Sequence, residues 1–164
     1  MADPNAQFAT THWSIVVQAK GDSDAAARAL ETLCQTYWFP LYAFARRSGH
    51  GAADAEDLVQ GFFAHVVEKR LFTRADEAQG KLRTFLLTTF RRFITDEFRR
   101  SAAQKRGGGN EIISFDAAEA ESWYEAQQVP ADESPEKMFD RQWAMTVMER
   151  ALQKMRDRWA ERDK

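Results

Sequence analysis

One stretch constrains the fold of this chain more than any other. From Lys81 to Ala103 the sequence reads KLRTFLLTTFRRFITDEFRRSAA. At about 100° of turn per residue, a helix here puts Leu82, Leu86, Phe90, Phe93 and Ile94 along one side. Thr84, Thr88, Arg91, Arg92, Thr95 and Arg99 fall along the other. A strand with its period of two would scatter both sets over both faces. The segment therefore predicts a long helix with one side buried against other apolar helices and one side outward, cationic and rich in hydroxyls.

The same period recurs upstream. A short helix is predicted over Trp13 to Lys20, closed by Gly21, with Asp22 and Ser23 as N-caps of the next. In that next helix Leu30, Leu33, Tyr37, Leu41 and Phe44 form one stripe reaching Arg47, and the register continues across Pro40, which predicts a kink rather than an end. Ser48-Gly49-His50-Gly51 is a turn. Asp54 opens a third helix with acids in its first turn, where the helix dipole favours them. Leu58, Val59, Phe62, Phe63 and Val66 make its core side, while Asp57, Gln60, Gly61 and Ala64 lie opposite, the two small residues permitting close approach of another helix. Ordinary solvated positions would show that same pattern. Leu71 to Gly80 reads as an irregular connection, and Gly107-Gly108-Gly109 stops the long helix. Ile112-Ile113-Ser114-Phe115 is too isolated to support a sheet, so the compact part is predicted all-α.

Downstream the composition changes. The 164 residues carry a formal charge of −2, but from Lys81 to Arg106 the local balance is plus six, whereas Gly107 to Asp140 holds nine acids against Lys137 alone. Such an acidic tract would be repelled by DNA. With Pro130 it reads as an acidic flexible linker over 107–133. Ser134-Pro135 then enters a last helix, residues 134–164, a serine cap followed by proline being a common helix start. Its apolar face of Phe139, Trp143, Val147, Ala151 and Met155 has no evident partner within the helix. With 44% hydrophobic residues, the organisation is one compact domain over 1–106 followed by a linker and a helix.

Enzymatic chemistry is poorly represented. His12, His50 and His65 sit in different elements without metal-ligand spacing, the lone Cys34 lies within an apolar pattern, and the Asp54, Glu56, Asp57 cluster has no histidine partner at helical spacing. No cofactor or metal is expected, and no catalysis. No signal-peptide pattern and no bilayer-length apolar run is present, which points to a cytoplasmic protein without a membrane partner. The arginine-rich side could be merely solvated. Against that stands the density of rings around it, Phe72, Phe85, Phe90, Phe93 and Phe98, because exposed rings stack unpaired bases while guanidinium groups hold phosphates. Most of those rings must be core, and Phe72, in the connection, is the one expected to be exposed.

The strings Tyr37-Trp38-Phe39-Pro40-Leu41-Tyr42-Ala43-Phe44-Ala45-Arg46-Arg47, Asp54-Ala55-Glu56-Asp57-Leu58-Val59-Gln60 and Leu82-Arg83-Thr84-Phe85-Leu86, in that order, resemble region 2 of bacterial sigma factors of the sigma-70 family, extracytoplasmic-function (ECF) subfamily. The resemblance spans roughly Thr11 to Arg106. It implies a helical domain that docks on the β′ clamp helices of RNA polymerase core and captures the non-template strand of the promoter minus-ten element, with no cofactor. Carried over by position, polymerase binding falls on Asp54, Asp57, Gln60, Gly61 and Ala64. DNA binding falls on Phe72, Arg83, Thr84, Thr88, Arg91, Arg92, Thr95 and Arg99. Relatives commonly carry asparagine where this chain has Arg92, and a guanidinium there favours phosphate contact over reading a flipped base. Relatives also thread the linker through a polymerase channel and continue into a helix-turn-helix domain that reads the minus-thirty-five element. The 134–164 helix resembles only the start of that domain. The implied function is promoter recognition and melting in initiation. The alternative is a truncated sigma-like interaction module that binds polymerase or an anti-sigma factor without initiating transcription.

Overall fold

The computed structural model describes residues 20, 23–75, 82–101, 117–127 and 129–162. Among them the fold is all-α: α1 Asp24–Arg47, α2 Ala52–Glu68, a 3-10 turn Leu71–Arg74, α3 Leu82–Ser101, α4 Ala117–Ala126 and α5 Pro135–Arg162. The helix expected over Trp13 to Lys20 lies outside the described residues but for Lys20, as do the Gly107-Gly108-Gly109 stop and the Ile112 to Phe115 stretch. The described chain divides into two compact units, Met1–Gln35 with Glu56–Phe115 and Thr36–Ala55 with Asp116–Lys164.

The first unit takes its core from the stripes expected of it. Leu33 and Cys34 of α1, Val59, Phe62, Phe63 and Val66 of α2, and Leu82, Leu86, Phe90 and Phe93 of α3 are all buried. The Phe62 ring lies 5.0 Å from Phe90 and 5.8 Å from Phe93, centroid to centroid. Burying each such side chain stabilises by about 1.5–3 kcal/mol, so this aromatic seam is a main fastening of α3. Ser23 caps α1, its Oγ accepting the Ala26 N–H at 3.2 Å. Burial pushes the Cys34 thiol up to about 12, as befits a small core residue.

In the second unit the latter half of α1 is almost wholly buried, with Tyr37, Trp38, Leu41 and Tyr42 at its centre. The helix runs through Pro40 to Arg47. It ends in a Schellman closure, in which the Gly49 N–H donates to Arg46 O at 3.1 Å and the His50 N–H to Ala45 O at 3.2 Å. Gly49, with φ of 100°, supplies the left-handed residue this requires.

One expectation needs correction here. The segment predicted as an irregular linker contains helix α4, whose Ala120 is fully buried. Its acids gave the stretch a disordered composition, but one of them, Glu121, is neutralised by Arg46. Helix α5 starts at Pro135 as predicted, with Ser134 Oγ accepting the Lys137 N–H at 3.3 Å. Its expected apolar face, however, is only partly covered. Phe139 is buried, stacked 6.5 Å from Tyr37, and Trp143 donates to the Tyr37 hydroxyl at 3.2 Å, whereas Met155 is exposed along with Met148, Leu152 and Trp159.

Candidate nucleic-acid interface

Helix α3 sorts its residues as its period dictates. With Leu82, Leu86, Phe90 and Phe93 buried, Thr84, Thr88, Arg91, Arg92, Thr95 and Arg99 are all exposed, and Arg83 is half-buried. Three guanidinium groups thus line one outward face within about two and a half turns, a spacing suited to successive phosphates. The threonines are not equivalent donors. Thr95 spends its hydroxyl proton on the Arg91 carbonyl at 3.0 Å, so phosphate contact there falls to the arginines. Near the helix end Glu97 faces Arg100 at 3.6 Å and offsets part of its charge.

The ring that sequence reasoning chose for base stacking is misplaced. Phe72 is only 4% exposed. Arg70, at φ 49° and ψ 44°, turns the chain left-handed into the 3-10 turn, which leaves Thr73 and Arg74 outward and tucks Leu71 and Phe72 inward. The carbonyl of Ala75 then accepts from Lys20 Nζ at 2.9 Å, tying the connection down. The exposed ring is instead Phe98, at 59%. Its place was readable in the sequence, since on the helical wheel it falls about 20° from Arg91, at the edge of the polar side and outside the buried stripe.

On α2 the expected polymerase-facing residues are unevenly disposed. Asp57 is exposed, and Gln60, Gly61 and Ala64 are half-buried. Asp54 is exposed in the first turn and belongs to the second unit. Gly61 is small for an internal reason: a Cβ there would sit 3.3 Å from Phe93 Cζ, so the close approach that it permits is by the chain's own α3.

An open cavity of about 240 Å³ in the first unit is lined by Lys20, Ser23, Leu30, Val66, Arg70 and Phe72, among others. Among the described residues that line it there is no carboxylate, histidine or cysteine. Among the described residues no helix is long and apolar enough to cross a membrane.

Residues 35–104, which take in the latter half of α1, all of α2 and all of α3, match the family model of sigma-70 region 2. Over that stretch the chain is similar to sigma-70 region 2. No curated protein and no solved structure matches the chain. The arginine row of α3 lies inside the region 2 match, whereas α4 and α5 lie beyond it.

Proposed function

We propose that this chain acts as a sigma factor of the ECF type, joining RNA polymerase core at the β′ clamp helices and holding the non-template strand of the minus-ten element open. One observation carries the reading: the outward side of α3 presents Arg91, Arg92 and Arg99 with an exposed ring, Phe98, beside them, on a helix whose other side is sealed in the core. Guanidinium groups bind the strand's phosphates, and the ring offers a stacking surface of about 1–3 kcal/mol per base, comparable with the cost of unpairing one step. A few captured bases then hold a melted segment once polymerase anchors the domain. Arg83, Thr84, Thr88 and Thr95 flank the same strand path.

Polymerase attachment falls to Asp57 and Gln60 of the first unit, an acid and an amide suited to a basic helical partner. Gly61 and Ala64 complete that face only in part, since Gly61 also serves the packing of Phe93.

With core polymerase and a promoter fragment, Asp57→Ala is expected to weaken polymerase binding without changing the fold. Arg91→Ala is expected to leave polymerase binding intact and reduce strand capture, with a salt slope shallower by about 0.7, one phosphate on single-stranded DNA. Polymerase binding without promoter opening by the wild-type chain would favour the interaction module instead.

A further inference from the structure

In the second unit, Arg46 and Arg47 end α1 and are both engaged by the acidic segment that follows region 2. Arg46 grips Glu121 with a two-pronged fork, Nε to Oε2 at 2.8 Å and a terminal nitrogen to Oε1 at 2.5 Å. The buried Tyr42 hydroxyl donates to the same carboxylate. The guanidinium also lies 4.9 Å over the Tyr124 ring and donates to His50 O at 2.8 Å. Arg47 donates to three carbonyls of the next turn, Glu133 at 2.7 Å, Pro130 at 2.9 Å and Ala131 at 2.6 Å. The two side chains remain partly open to solvent.

A guanidinium fork fits carboxylate and phosphate alike. Two adjacent arginines, one holding a carboxylate and one holding carbonyl oxygens, form an oxyanion site filled by the chain's own atoms. We propose that Arg46 and Arg47 are a latent binding site for nucleic-acid phosphates, and that helix α4 with the 130–133 turn is a clasp that masks it. Glu121 is the stand-in anion. The positively charged row of α3 is exposed, whereas this second cationic site becomes available only when α4 lifts away. The chain would thus bind single strands less tightly than its arginine content allows, until a competing phosphate or a partner opens the clasp.

The test uses the full chain and a single-stranded thymidine homopolymer. Glu121→Gln keeps the shape and removes the charge that Arg46 holds. Amide hydrogen exchange across Ala117–Ala126 should accelerate, and affinity for the homopolymer should rise roughly fivefold at 0.1 M salt, with a slope steeper by about 0.7 for one added phosphate. Glu125→Gln makes the same charge change at an exposed position of the same helix and should do neither. Adding Arg46→Gln and Arg47→Gln to Glu121→Gln should abolish the gain. Faster exchange without tighter binding overturns the proposal, as does a gain matched by Glu125→Gln or surviving loss of both arginines, and so does unchanged exchange. If Glu121→Gln melts below the assay temperature, Tyr42→Phe removes one bond to the same carboxylate; a smaller rise in affinity supports the clasp, and no rise overturns it.

Discussion

Phe72 and Phe98 show how a single residue's environment decides its role. Both rings stand among basic residues in the sequence, but the left-handed Arg70 rotates the connection so that Phe72 enters the core, while Phe98 stays out. Phe72→Ala should therefore cost about 3–5 kcal/mol of stability, the usual loss for a buried phenylalanine. Phe98→Ala should leave stability unchanged and weaken strand capture about tenfold, one stacking contact of about 1.4 kcal/mol. Chemical denaturation and binding measured side by side check the pair. Gly49 gives a cleaner backbone case. A Cβ there would meet nothing within 4 Å, so Gly49→Ala should lose about 1 kcal/mol for the left-handed φ alone, read as a lower denaturation midpoint with unchanged slope.

Elements, more than residues, divide what the sequence makes legible from what it hides. Helices α1, α2 and α3 follow from hydrophobic period, and most of the buried sides of α2 and α3 were readable, since each stripe meets another stripe, although Leu58 and Ile94, expected in the core, are only half-buried. Helix α4 was not readable, because its fastening is electrostatic and distant in sequence: Glu121 is anchored by residues seventy-five and seventy-nine positions earlier, and a composition window registers only the excess of acid. The function of the small residue Gly61 was hidden for a similar reason, its neighbour Phe93 being on another helix. The anchoring has a pH signature. Hydrogen bonds from Arg46 hold the Glu121 carboxyl below its ordinary value of 4.5, with a further contribution from Tyr42. A depressed carboxyl contributes stability that is complete above about 4.5 and is lost as pH falls through the lower folded value. The difference in melting temperature between wild type and Glu121→Gln should then be constant from pH 7 to 5 and shrink as pH falls below 4.5; a difference that does not shrink at all below 4.5 would mean that the carboxylate charge is not what fastens α4.

For the molecule as a whole, charge is distributed, not uniform. A net charge of −2 coexists with a cationic, outward helix side in the stretch similar to sigma-70 region 2 and an acidic segment beyond it. A protein so arranged binds nucleic acid weakly alone and gains affinity when another surface anchors it, because three arginines neutralise only a few phosphates. The central claim is that the outward row of α3 grips an unwound strand. Its most direct measurement is retention of a random single-stranded DNA pool by the chain bound to core polymerase, comparing wild type with the combined Arg91→Ala, Arg92→Ala and Arg99→Ala variant. The account predicts that wild type retains a sequence-enriched strand and that the variant binds polymerase equally well but retains none. Equal retention by both would contradict it.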